Sequence, residues 1–268
     1  MKPTTYLRTM LAAAAISLSA GAAHADALAT IKERKTINIG VDLGQAPFGM
    51  VDSQMQQTGS DVATAKQLAK DLGVGLNIVS VSPANRIPFL MTRKVDVIIA
   101  SFSITDERKK QVDFSAPYAV IQSSVATVGG MKVASLKDLE NKEVAVTRGS
   151  TNDQLITKAV KDENLQGVSI VRYDDNAAAT NAVVSGQQDI YVVAPSLLVP
   201  VNQANPNRKI EPQFVLKTFP LGIGLPKNEP ALKAWLDKWV ADNLANGTLN
   251  DIYKTYHGVP LPSEMPKG

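Results

Sequence analysis

Short apolar runs alternate with helical stretches along this 268-residue chain, and that alternation limits the possible folds more than any other feature. A first run, residues 37–41, ends at Asp42 and the loop Leu43-Gly44-Gln45-Ala46-Pro47-Phe48. Gly59-Ser60-Asp61 then opens a helix. Its Val62, Ala65, Leu68, Ala69 and Leu72 recur at three and four residues, and Gly73 stops it. Residues 76–81 read as a second strand, 83–92 as a loop and short helix, and 95–100 as a third strand. Strand and helix in turn imply an α/β fold with a largely parallel sheet and right-handed crossovers.

A second unit of the same grain follows. Strands are expected at 121–128, 143–147, 168–173 and 189–193, and helices after Gly149-Ser150-Thr151 and over 177–185. Ser135-x-x-Asp138 is a capping box before a short helix. The C-terminal part is helical. Pro230 suits a first helical position, and Leu232, Trp235, Leu236, Trp239, Val240 and Leu244 form one apolar face. That spacing assigns both tryptophans to the core. Thr248-x-x-Asp251 caps a final helix.

The third strand carries the most chemistry. Its apolar run, 97–100, breaks into the hydroxyls Ser101, Ser103 and Thr105, and Arg108 follows. Open α/β sheets place ligands outside the carboxyl ends of their strands, and arginine grips carboxylates through two parallel N–H bonds. A buried strand that ends in small donors and a guanidinium therefore predicts a carboxylate-binding site. Across the chain, Ser150 or Thr151 begins a helix whose N–H groups and positive dipole end also suit an anion.

Composition excludes several classes. A net charge of +3, with no basic cluster longer than Arg108-Lys109-Lys110, gives no nucleic-acid footprint. The absence of cysteine excludes disulfides, thiolate nucleophiles and cysteine metal sites. No metal site, phosphate-binding loop or cofactor motif is found. Residues 1–25 read as an export signal: Lys2 and Arg8 precede a short apolar run, and Ala23-His24-Ala25 is a small-x-small cleavage site. Cleavage would leave Asp26 first, remove the two cations to give +1, and leave His257 as the sole histidine, expected at the surface. The mature protein is expected to be soluble and periplasmic.

Several motifs in order resemble the family 3 extracellular solute-binding proteins, the polar amino-acid-binding components of ABC importers. They are Gly59-x-Asp61-Val62, Asn85-Arg86-Ile87-Pro88, Ser103-Ile104-Thr105-x-x-Arg108, Phe114-Ser115-x-Pro117-Tyr118, Gly149-Ser150-Thr151 and Gly247-Thr248 with Ile252 and Tyr256. The resemblance implies a two-lobed periplasmic-binding-protein fold of type II, two α/β lobes joined by two crossover strands, with ligand in the cleft. It implies a first lobe of residues 26–118 and 222–268, on which the final helices pack, and a second of 119–221. Arg108 would clamp the ligand's α-carboxylate, with Ser103 on the same group and Ser101 on the amine side. The implied partners are a small carboxylated ligand and an inner-membrane ABC permease, and the protein is expected to be a monomer.

The chain departs from the family pattern at three places. A second-lobe aspartate that usually pairs with the ligand's ammonium is replaced by Ala194. The aromatic that often stacks on the ligand after the first strand is replaced by Gln45, and a second aromatic is missing near Pro83. Either another group pairs with the amine or the ligand has none. Arg86 is the expected compensation, because relatives that bind acidic amino acids carry the same Asn-Arg-Ile-Pro; the expected ligand is anionic or zwitterionic. Two alternatives to transport are a dehydratase resembling cyclohexadienyl dehydratase, with Asp42 and Asp61 as cleft-edge acids, and a ligand sensor for a membrane receptor.

Overall fold

A computed structural model describes residues 26–266; the expected export signal lies outside the described residues. The chain opens with α1 (Ala27–Arg34), β1 (Thr36–Val41) and a small hairpin of β2 (Met50–Val51) and β3 (Gln57–Thr58). It continues through α2 (Ser60–Leu72), β4 (Gly75–Ser80), α3 (Arg86–Met91), β5 (Val97–Ile98) and α4 (Asp106–Lys109). A long strand, β6 (Asp113–Val128), leads to a 3-10 turn at Leu136–Leu139 and then to β7 (Glu143–Thr147), α5 (Thr151–Asp162) and β8 (Ser169–Tyr173). After α6 (Asn176–Val184), β9 (Ile190–Val193) and α7 (Pro195–Ala204), a second long strand, β10 (Ile210–Leu225), returns. Helices α8 (Pro230–Ala245) and α9 (Thr248–His257) close the chain.

One continuous sheet runs in the order β4-β1-β5-β10-β6-β9-β7-β8. Its outer strands pair in parallel, β1 with β4 and β5, and β7 with β8 and β9, as expected of strand–helix alternation. The centre is different. β6 and β10 are each 16 residues long and antiparallel, paired from Asp113 opposite Leu225 to Val128 opposite Ile210. They pass through both lobes, and four register shifts interrupt their ladder. Bulges bend and twist a strand pair, so this ribbon can change direction between the lobes.

The apolar core divides about this ribbon. Ile31, Ile37, Ile39 and Leu68 pack with Ile223, Leu236, Trp239 and Leu249 on one side, and Leu90, Ile98 and Phe102 form a neighbouring cluster. On the other side Ala145, Val183, Tyr191 and Ile210 form one cluster, and Val146, Ile156 and Val192 another. Trp239 is buried and its indole N–H donates to Asp71 at 2.8 Å, fixing α8 against α2. The amphipathic face of α8 thus completes the lobe that the N-terminal residues began.

Several elements differ from the sequence expectation. Helix α1 precedes the first strand, and the third strand pairs only over Val97–Ile98 rather than 95–100. Ser101 just beyond has φ +44, which takes the backbone out of extended geometry. The strand expected at 121–128 begins at Asp113. Pro117, which cannot donate to a ladder, is accommodated opposite Gly222 at one of the bulges. Gly59, with φ +117, is fixed by close approach: a Cβ there would stand 2.3 Å from the Phe48 carbonyl oxygen.

Candidate ligand-binding site

Thr105 caps α4, its Oγ1 accepting the Arg108 N–H at 3.3 Å, and this one-turn helix aims the Arg108 side chain inward. The guanidinium is buried. Nη1 donates to the Ser103 carbonyl at 3.0 Å and to Thr151 Oγ1 at 3.1 Å, and Nη2 donates to the Gly149 carbonyl at 3.3 Å. Thr151 Oγ1 donates onward to Ser103 Oγ at 3.0 Å. Every one of these acceptors is neutral, and among the described residues no carboxylate pairs with Arg108. Burial pushes its pKa well down, and repulsion from Arg86 adds to this. A guanidinium nevertheless remains charged in a protein, so this buried cation has no carboxylate among the described residues to offset the cost of its burial.

Arg86 begins α3 and is also buried, donating from Nη1 to the Ala100 carbonyl at 2.6 Å. Its Nε finds no acceptor among the described residues. The Phe102 ring lies beside both guanidinium carbons, 5.0 Å from that of Arg86 and 4.8 Å from that of Arg108. The two arginines differ in charge environment. Burial lowers the Arg86 pKa, but Asp42 and then Asp61 oppose that shift, whereas Arg108 meets only repulsion.

Asp61 lies under the strand end rather than at the cleft edge. It accepts the Ser101 N–H at 2.5 Å and the Tyr118 hydroxyl at 2.7 Å, and thereby holds Ser101 in its left-handed conformation. Desolvation pushes its carboxyl up to about 6, against the pull of those two donors. Asp42, at the end of β1, is likewise buried and pushed up to about 6, with Arg86 and the Gly44 N–H pulling the other way. Asp42 Oδ1 accepts the Gly44 N–H at 3.0 Å, and Oδ2 accepts from Asn176 Nδ2 at 3.3 Å.

The opposite wall comes from the other lobe. Ser150 caps α5, its Oγ accepting the Asp153 N–H at 3.1 Å, and Thr151 is the first helical residue. Gly149 has φ +70, and a Cβ on it would stand 3.2 Å from the Ala84 Cα and 3.4 Å from the Pro83 carbonyl oxygen. The two lobes therefore touch here through backbone. Between them lies a small cavity of about 30 Å³, room for only a water or two with the lobes this close.

Of the residues expected from sequence, Gln45, Arg86, Ser101, Ser103, Ser150 and Thr151 line this cavity. Arg108 stands directly behind Ser103 and Thr151, and Asp42 behind Gln45 and Asn176. The structure adds Gln122, Ser123, Asn152 and Asn176, and the apolar Ile121 and Phe219 of the central ribbon. Asn176 was concealed because it follows Asp175 at an ordinary helix start, with nothing local to distinguish it from a solvated first turn. Ala194 lies outside the lining; it is buried and precedes α7, its carbonyl accepting the Leu197 N–H. His257 is not a free surface residue. It stacks on Tyr253 at 4.0 Å, meets the Phe48 ring at 4.5 Å and reaches Ser60 Oγ at 3.1 Å, and burial pushes its pKa down to about 4.

Residues 37–259 match the family model for bacterial extracellular solute-binding proteins, family 3. The chain belongs to that family. Among family 3 relatives, it is 31% identical over 240 residues to the ABC transporter glutamine-binding protein GlnH of Bacillus subtilis, covering 86% of this chain and 84% of the relative. It is 30% identical to the L-cystine-binding protein TcyJ of Escherichia coli over 86% of each chain. The solute receptor for L-cysteine of Neisseria gonorrhoeae superposes with a TM-score of 0.79 at 29% identity, covering 85% of this chain and 92% of that one. An ancestral amino acid-binding protein, a precursor of cyclohexadienyl dehydratase, gives a TM-score of 0.75 at 34% identity over 87% of this chain and all of that one. The family 3 fold is thus the two-lobed α/β arrangement described above, and solute binding is its activity.

Proposed function

We propose that this protein captures a small carboxylated ligand, an amino acid, in the interlobe cavity and delivers it to the inner-membrane permease of an ABC importer. One observation carries the reading. Arg108 is a buried guanidinium whose partners are all neutral, and a carboxylate placed against it supplies the missing charge and satisfies its fork geometry. Ser103 and Thr151, already bonded to one another at 3.0 Å, would redirect their hydroxyls to the same group. Ligand bridging the two walls favours the closed arrangement, the hinge mechanism of two-lobed binders.

The second arginine refines the ligand. Asp42 and Asp61 already act on Arg86 as counter-charges, which supports one ligand carboxylate rather than the two that an acidic amino acid would bring. The polar lining that remains free of cross-cleft bonds, Gln122, Ser123 and Asn152, is of amides and a hydroxyl, and suits a neutral polar side chain. The lobes are read as residues 26–118 with 222–268, and 119–221; the division of the apolar core supports that assignment. The protein is read as a periplasmic monomer after loss of residues 1–25. It is read as a binder rather than an enzyme: the named relatives are binding proteins, and the buried acids Asp42 and Asp61 stand behind the lining, engaged in hydrogen bonds. Incubation with prephenate or arogenate should yield no product.

Isothermal titration of residues 26–268 against free amino acids and their carboxamides tests the reading. At least one neutral polar amino acid should bind, and its carboxamide, lacking the carboxylate, should not. Equal binding of acid and carboxamide would remove Arg108 from the site.

A further inference from the structure

Among the described residues, the hydrogen bonds that join the two walls of the cavity fall into two separate groups. In the first, Arg108 and Ser103 of one lobe meet Gly149 and Thr151 of the other, and a bound carboxylate would compete for these atoms. In the second, Asn176 Nδ2 donates to Gln45 Oε1 at 2.5 Å and to Asp42 Oδ2 at 3.3 Å. No atom of Arg108 or Ser103 takes part, so this group can form without a ligand carboxylate.

Both halves of the second group are held in position by their own lobes. On the far side Thr147 Oγ1 donates to Asn176 Oδ1 at 2.7 Å, which turns the amide nitrogen toward the cleft. A carboxylate can only accept, so Asp42 requires the same orientation. On the near side Asp42 Oδ1 is fixed by the Gly44 N–H, and Gln45 is fixed by paired backbone bonds with Gly49 at 3.0 Å each. Asp42, Gln45 and Asn176 are all buried, so water does not substitute for these contacts in the closed arrangement.

We propose that Asn176 is an interlobe latch: its carboxamide binds Asp42 and Gln45 across the cleft and sets the fraction of closed protein independently of which ligand is bound. The proposal rests on the two-lobed closing mechanism given above, and it assigns Asn176 a positioning role toward any ligand. The latch also links closure to protons. Asp42 is faced by Arg86 from α3, Asp61 from α2, Asp175 beside Asn176 and Tyr191 from β9. Burial raises Asp42, and withdrawal of the α6 end on opening returns it to water and to its ordinary range. Closure therefore takes up a proton, and the closed form gains as pH falls toward 5.

The test uses residues 26–268 with labels on Met55→Cys and Val199→Cys, exposed positions in the two lobes of a chain that has no cysteine of its own. The distance between labels is measured without ligand, and ligand affinity is measured by titration. Asn176→Ala should shift the unliganded distances toward open and weaken every ligand by ~10-fold, the equilibrium equivalent of about one net hydrogen bond. Asn176→Asp places a carboxylate against Asp42. It should be open at pH 7.5 and regain closure by pH 5, where one proton is shared; Asn176→Ala should show no such rescue. An unliganded distance distribution that neither variant moves, at either pH, overturns the latch. Failure of the wild type to bind any carboxylated ligand would instead count against the transport reading, because the unliganded distances report the latch without ligand.

Discussion

Replacement of Arg108 by methionine separates charge recognition from packing. In the wild type the guanidinium gives three hydrogen bonds to neutral acceptors at 3.0–3.3 Å and has no carboxylate partner among the described residues. Truncating one member of a buried charge pair costs ~2–5 kcal/mol of binding, so Arg108→Met should weaken the ligand ~30- to ~4000-fold. Arg108→Lys keeps the charge but offers one ammonium in place of a planar fork, and should fall between the two. The unliganded protein should respond much less. Loss of the three bonds destabilises it, and relief from burying an uncompensated cation offsets that loss. Titration calorimetry supplies the affinity, and thermal unfolding with and without ligand supplies the comparison. The ligand-induced rise in Tm should vanish in Arg108→Met. If Arg108→Met binds the wild-type ligand within threefold, the guanidinium is structural and the carboxylate reading fails.

Other consequences follow from neighbouring features. Gly149→Ala places a Cβ at φ +70 and 3.2 Å from the Ala84 backbone; left-handed strain of ~1–2 kcal/mol should lower the Tm by ~2–8 °C, and the cross-lobe contact should weaken ligand binding as well, which calorimetry and titration report together. Asp61, raised to about 6, contributes stability that is fully present below the unfolded carboxylate pKa and lost as pH rises through about 6; Asp61→Asn should remove that dependence from urea midpoints measured between pH 4 and 7. His257 has the opposite sign: lowered to about 4, it contributes stability present above its unfolded pKa near 6.5 and lost as pH falls through about 4, so His257→Gln should flatten the acid side of the same curve. Leu236, fully buried on α8, should cost ~2–5 kcal/mol as alanine, and a chain ending at residue 229 should fail to unfold cooperatively in its N-terminal lobe.

The parts of the site that were legible in sequence share one property: their chemistry is local. Ser103 and Arg108 are five residues apart and joined at 3.0 Å by a bond within one strand end and its following turn, and Ser150 announces itself as a cap for α5. Asn176 meets Asp42 across 134 residues of chain, and no spacing rule brings such a pair together. The burial of Asp61 was hidden for the same reason. Only Tyr118, 57 residues on, and Ser101, 40 residues on, reveal why a carboxylate sits beneath the strand. In the fold, the parallel outer strands followed from alternation. The central ribbon did not, because Pro117 and the bulged residues erase the two-residue period that marks a strand.

The division of the core by the long ribbon orders events in time as the chain is made. All the residues of the Ala145 and Val146 clusters lie between Val125 and Leu216, in one unbroken segment. The core around Ile37 and Ile39 takes Leu221 to Leu249 as well, and those residues follow the inserted lobe in the chain. The face around Ile37 and Ile39, though earlier in the chain, cannot complete its burial until those residues are in place, whereas the Leu90 cluster draws only on its own neighbourhood. A chain built this way lets the inserted lobe complete its core from one segment, while the lobe that surrounds it waits on contacts of high sequence separation, which slows its closure.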